Sequence, residues 1–216
     1  MDVERMRDTL LDAALAHVPF DGWSEAALLA AAADTGLDPA VARNAFPGGG
    51  LDMIEAFSDR ADRVMLERLE ALDLASMRVR DRVAAGVRER LMYLMPHREA
   101  ARRALVCLAL PLNGALGVRC LCRTVDAIWY AAGDTSTDYN YYTKRLLLAG
   151  VYSATVLVWL DDGSEGCAAT WAFLERRLDE ALRLGGTVGR TVGRALDLPE
   201  RLFRRLVPGG DRRRTA

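Results

Sequence analysis

The sequence predicts an all-α protein: a three-helix helix-turn-helix module set on a larger helical bundle, followed by a C-terminal amphipathic helix. Three observations predict it. No segment sustains the alternation of a half-buried strand, and apolar residues recur at helical spacing almost throughout. Cap and stop signals cut the chain into helix-length pieces. At 216 residues, 51% hydrophobic and 27% charged, the chain is long enough for one sizeable core.

Residues 4–18 place Met6, Leu10, Ala13, Ala14 and Val18 on one helical face, and Phe20-Asp21-Gly22-Trp23 reads as a turn. Ser24 caps an alanine-rich helix from Glu25 to Asp34, and Thr35-Gly36-Leu37 turns the chain. A third short helix starts at Asp38-Pro39, with proline at its first position, and ends near Phe46-Pro47-Gly48-Gly49-Gly50. Three short helices with a tight glycine turn between the second and third make a helix-turn-helix module over residues 1–50.

The bundle is expected over residues 51–184. Its helices are read at 51–75, 79–95, 97–118 (interrupted by Pro111, Asn113 and Gly114) and 118–132. The central helix belongs to Asp134–Leu160, with Thr135 and Asp138 at the spacing of a capping pair. Tyr141, Leu148, Tyr152 and Trp159 share one stripe of it. From Leu146 onward it is apolar on every side, which predicts a helix buried all round. The run 146–160 is short of the ~20 residues that span a bilayer. Asp161-Asp162-Gly163-Ser164 stops it, and an amphipathic helix follows over 165–184, with Trp171, Leu174, Leu178 and Leu182 on one side.

Several function classes find no support. His17 and His97 are the only histidines, and no Cys/His cluster has metal-ligand spacing. There is no nucleophile elbow and no dinucleotide fingerprint, and Gly48-Gly49-Gly50 reads as a helix-ending turn. Catalysis, cofactor and metal are therefore not expected. Cys107, Cys120, Cys122 and Cys167 lie in apolar stretches without CxxC spacing, which predicts buried free thiols in a reducing compartment. The start, MDVERMRD, reads as neither a secretory nor a transit sequence. Residues 20–50 carry Asp21, Glu25, Asp34 and Asp38 against Arg43, a field that opposes phosphate. Nucleic acid is not an expected partner.

Two blocks carry a family resemblance. DTSTDYNYYTKR at 134–145, and FPGG followed by LDMIEAFSDRADRVM between Phe46 and Met65, resemble two segments of an accessory protein family of ubiquinone (coenzyme Q) biosynthesis. The similarity extends from about Met6 to Leu184. The helical layout resembles the TetR regulator architecture, in which the bundle holds a ligand pocket and a dimer face. The resemblance implies a non-enzymatic protein that holds isoprenoid lipids and docks the hydroxylase of demethoxyubiquinone. A homodimer is expected by the same analogy.

Three candidate sites follow. Leu105, Leu108, Leu112 and Leu116 recur at helical spacing, with Leu147, Val151 and Val158 available to face them. Pro111, Asn113 and Gly114 would loosen that helix into a cleft, the alternative being a filled core. An isoprenoid or phospholipid is the expected occupant, each buried methylene contributing roughly 0.8 kcal/mol. Tyr141 and Tyr142 lie about 100° apart on a helix, so at least one reaches the surface. With Asp138, Lys144, Arg145, Ile128 and Trp129 they form the expected hydroxylase patch. In the tail, residues 185–216, Val188, Val192, Leu202, Phe203 and Leu206 share one face, and Arg190, Arg194, Arg201, Arg204 and Arg205 the other. A basic amphipathic helix of this kind lies in a membrane interface. A bacterial cytoplasm, with the protein peripheral at the inner membrane, is the expected location. The alternative reading is a TetR-type transcription repressor sensing a hydrophobic ligand.

Overall fold

The computed structural model describes residues 3–134, 139–181 and 183. Helix α1 (Val3–Asp21) runs further than expected, taking Phe20 and Asp21 into its last turn. It ends at Gly22, whose φ of 69° lies in the left-handed region that glycine occupies without strain. Helix α2 (Glu25–Thr35) starts as its sequence predicts, Ser24 Oγ accepting from the Ala27 amide at 3.3 Å. It closes with the amides of Gly36 and Leu37 donating back to Ala33 and Ala32. Asp38 caps α3 (Pro39–Ala45) by accepting from the Ala40 amide at 2.7 Å.

The module is joined to the bundle through Trp23. Its indole Nε1 donates to the Ala100 carbonyl at 3.0 Å, and its ring lies 5.3 Å from that of Phe57. Gly50 opens α4 (Gly50–Glu70) directly beneath it; a Cβ there would lie 2.0 Å from the Trp23 carbonyl oxygen. One apolar core runs through both parts, from Leu10, Leu28 and Phe46 to Met65, Leu91, Ile128, Trp159 and Leu174.

Helix α5 (Val79–Leu94) passes through a single 3-10 turn into α6 (Arg98–Leu108). The interruption expected inside 97–118 is a complete break. Pro111 has no amide to offer a helix, and Asn113 Nδ2 turns back to donate to the Cys107 carbonyl at 2.9 Å. Helix α7 (Gly114–Ala131) then leaves at 97° to the α5–α6 run.

Helix α8 (Tyr139–Asp161) is long and apolar enough to cross a bilayer, yet Leu148, Tyr152, Val156 and Trp159 of it are buried in the bundle. It is not buried all round. Leu146, Gly150, Ser153 and Leu157 form an exposed stripe, because α5 and α7 pack against the other side. Two arginines of α6 close its carboxyl end, Arg98 donating to the Asp162 carbonyl at 2.7 Å and Arg102 to that of Leu160. The last described helix, α9, covers 168–181. Asp162 caps it: one carboxylate oxygen takes the Ser164 amide and hydroxyl, the other the Thr170 amide and hydroxyl. The Ser164 and Thr170 hydroxyls and amides hold that carboxyl well below the usual carboxylate range. No strand occurs among the described residues, and the fold is all-α. Of the cysteines, Cys120 and Cys167 are buried, Cys107 is half-buried and Cys122 is exposed on the outer face of α7, against the expectation for that residue.

Candidate functional site

Between α4, α5, α6, α7 and α8 the bundle leaves a cavity of about 520 Å³. It is not a filled core. The 97° turn after α6 keeps that helix from lying along α7, and small residues (Ala101, Ala104, Gly114, Gly117) line the gap. The deep part of the wall is buried: Ile54, Phe57, Arg90, Cys120, Thr124 and Tyr152. The outer part reaches solvent and is apolar, with Leu105 at 36%, Val118 at 61% and Leu157 at 63% exposure.

The deep wall is polar at one spot. Arg90, on the buried face of α5, donates through Nε to Asp62 of α4 at 2.7 Å and through Nη1 to the Tyr152 phenol of α8. Its Nη2 donates to the Ser58 hydroxyl at 3.1 Å and the Ser58 carbonyl at 3.3 Å. Thr124 of α7 donates to the same Asp62 oxygen at 2.8 Å, and Arg123 to the other at 3.1 Å. Burial pulls the Arg90 guanidinium toward deprotonation, but Tyr152 and Asp62 more than offset it and it stays a cation. Burial pushes the Tyr152 phenol up, so it keeps its proton. Burial likewise pushes the Cys120 thiol up, against the lowering effect of Arg123 and Ser58.

Leu105 and Leu108 line the cavity as their spacing suggests. The others do not. Leu112 sits on the 3-10 turn, 97% exposed, because the break at Pro111 takes it out of the helical stripe, and Leu116 falls on α7 outside the lining. On α8 the cavity meets Tyr152, Ser153, Val156 and Leu157, whereas Leu147, Val151 and Val158 lie off it. Single-residue steps rotate a side chain by about 100°, which is enough to miss. Arg90 and Asp62 escaped the sequence reading, although each interrupts an apolar face: Val83, Val87, Leu91 and Leu94 surround Arg90, and Ile54, Ala61 and Met65 flank Asp62.

The tyrosine pair divides as predicted, with Tyr141 half-buried and Tyr142 71% exposed. Their rings meet edge to face at 5.2 Å. The Arg145 guanidinium covers the Tyr141 ring, pairs with Asp126 and reaches Asp134 at 3.1 Å. Lys144 Nζ bonds Asp134 at 2.8 Å and lies over the Trp129 ring at 5.6 Å. Ile128 is fully buried against Gly86, so it belongs to the core and not to a surface patch. Trp129 is 8% exposed and largely core as well. Tyr130, 80% exposed, is the surface aromatic of that turn. Asp138 and the tail residues Val188, Arg190, Val192, Arg194, Leu202, Phe203, Arg204 and Leu206 lie outside the described residues.

The architecture is that of the TetR regulators. A crystal structure of a TetR transcriptional regulator from Nitrosomonas europaea ATCC 19718 matches 82% of this chain and 98% of its own, with a TM-score of 0.68 at 24% identity, a likeness of fold alone. The COQ9 family model matches residues 115–185, which run through α7, α8 and α9. The ubiquinone biosynthesis protein COQ9, mitochondrial, of Homo sapiens is 37% identical over 202 residues, covering 89% of this chain and 63% of its own length. Its Drosophila melanogaster counterpart is 34% identical over 195 residues, covering 88% and 60%. The chain is thus similar to COQ9 proteins over 88–89% of its own length. It spans somewhat under two thirds of the length of these relatives. They are mitochondrial proteins of eukaryotes by name, which overturns the expected bacterial cytoplasmic and inner-membrane location.

Removing one partner of a buried ion pair leaves the other charge uncompensated. Asp62→Ala is expected to lower stability by about 3–5 kcal/mol. Replacing Asp62 by Leu and Arg90 by Met together should restore most of it, as read from urea unfolding of the variants.

Proposed function

We propose that this chain is a non-enzymatic accessory protein of ubiquinone biosynthesis. It holds a prenylated quinone intermediate or another isoprenoid lipid in the bundle cavity and presents it to a demethoxyubiquinone hydroxylase. The observation that carries the reading is the cavity: about 520 Å³, mostly apolar, buried at depth and open on one side. Ligand sites are of this size and character, ≈ 300–1,000 Å³ with few polar groups. The names of the relatives supply the pathway.

Tyr142 stands out from a locked base, since Tyr141, Arg145, Asp126 and Asp134 hold one another. An aromatic presented on a rigid helix surface loses little freedom on binding, and this suits a hydroxylase contact. Residues 183–216 carry nine arginines against Asp197, Glu200 and Asp211, and this charge supports docking on an anionic membrane. Each arginine near such a surface contributes on the order of 1 kcal/mol. Nucleic acid has no part in the proposal: Arg43, the lone cation of residues 20–50, is paired with Glu25 at 2.7 Å. A homodimer is part of it, the exposed end of the α8 stripe at Leu146 and Gly150, away from the cavity mouth, being the face it would cover.

Ala104→Trp, which places an indole in the cavity, should abolish uptake of a prenylated benzoquinone from detergent while leaving the far-ultraviolet spectrum unchanged. Native mass spectrometry reads the bound mass; retention of ligand by this variant, or no uptake by the unaltered chain, would overturn the cavity reading. Tyr142→Ala should weaken hydroxylase association about tenfold, roughly the 1.4 kcal/mol of a modest hot spot; an unchanged Kd removes that surface. Replacing Arg190, Arg194 and Arg204 by Glu together should end co-flotation with vesicles rich in anionic phospholipid, and undiminished flotation would count against the tail.

A further inference from the structure

A cavity meant only for hydrocarbon would be lined by hydrocarbon throughout, because an unpaired polar group facing an alkyl chain costs free energy. This one has a polar spot at its buried end and apolar residues at its mouth. Arg90, Thr124 and Tyr152 are at least nine-tenths buried, at 5%, 1% and 8% exposure, and all three line the cavity.

Their hydrogen bonds can be counted. A guanidinium has five N–H donors. Among the described residues Arg90 spends four: one on Asp62, one on the Tyr152 phenol, and two on Ser58. One Nη1 hydrogen remains. The Tyr152 oxygen accepts from Arg90, and its own hydrogen meets no acceptor among the described residues. Both Asp62 oxygens are engaged, one by Arg90 and Thr124 and the other by Arg123. Two neighbouring donors without acceptors therefore remain on residues of the deep wall.

Charge narrows what they can take. Arg90 and Arg123 are balanced by Asp62 and by Asp59, which Arg123 approaches at 3.6 Å. A spot without surplus positive charge does not repay the desolvation of a phosphate or carboxylate. A neutral oxygen with lone pairs and no hydrogen of its own fits both donors.

We infer that the cavity orients its ligand: a neutral acceptor oxygen, of the carbonyl class found on a quinone ring, sits inward at Arg90 and Tyr152, and the apolar chain points outward past Leu105, Val118 and Leu157. This rests on the cavity being a prenyl-lipid site. Tyr152 and Arg90 act as a selectivity pair for the ligand's polar end. A chain held this way leaves by its tail first, along an apolar rim.

The test is a two-by-two comparison of unaltered protein and Tyr152→Phe against two ligands, a prenylated benzoquinone and the prenyl hydrocarbon of equal chain length lacking the ring. Binding is read by quenching of tryptophan fluorescence. The unaltered protein should prefer the quinone about tenfold, as one or two net hydrogen bonds provide. Tyr152→Phe should lose that preference and bind the hydrocarbon unchanged, which also shows that the cavity has kept its shape. Equal affinity of the unaltered protein for both ligands, or a quinone preference that survives in Tyr152→Phe, overturns the orientation while leaving a lipid cavity in place. A prenyl diphosphate, added as a third ligand to the unaltered protein, should bind more weakly than the quinone; the reverse preference also overturns the orientation, in favour of an anion site. If neither ligand binds the unaltered protein, the lipid reading itself fails.

Discussion

A guanidinium enclosed by α4, α5, α7 and α8 is the constraint on which this bundle depends. Arg90 cannot be placed in the interior without partners, and its partners come from different helices: Asp62 and Ser58 from α4, Tyr152 from α8, and Thr124 of α7 through Asp62. Apolar contacts alone allow helices to slide against one another at small cost, whereas a forked donor accepts a narrow set of positions. The network thus sets the register of the helices around the cavity. It also supplies that cavity with its polar spot, so one feature serves both the packing and the site.

The second constraint is covalent. Pro111 ends the run begun by α5 and α6, and the chain leaves at 97°. Had the helix continued, Leu112 and Leu116 would have packed along the α6 stripe and the space would have closed. The break instead leaves α6 and α7 splayed, with alanines and glycines where larger residues would fill the gap. The arginines at the far end hold the arrangement from outside: Arg98 and Arg102 tie α6 to the carboxyl end of α8, and Arg98 also lies over Trp159 at 5.0 Å. The cavity persists because its walls are fixed at both ends.

How much was legible depended on the range of the interaction. Caps at Ser24 and Asp38, the glycine ends at Gly22 and Gly36 and the stop at Asp162 act within a few residues of themselves, and their sequence signals were specific. The fold class followed from such local patterns. The site was legible only in part. Leu105 and Leu108 share the face of one uninterrupted helix and reach the cavity, while Leu112 and Leu116 were separated from them by the break. Ile128 looked like a neighbour of Trp129 on a patch, but the absence of a side chain at Gly86 draws it inward. Nor could an apolar run reveal that α8 keeps one bare stripe, since burial depends on which helices lie beside it.

The residues alone determined that this chain is all-α, with a net-acidic first module and a basic tail, because periodicity, capping and charge are local properties. Tertiary structure alone decided that the bundle is hollow, that Arg90 and Tyr152 face the hollow, and that Tyr142 faces water. The reason is physical: a cavity is a relation between helices distant in sequence. Arg90 lies 28 residues from Asp62 and 62 from Tyr152, and no spacing rule reaches across such separations.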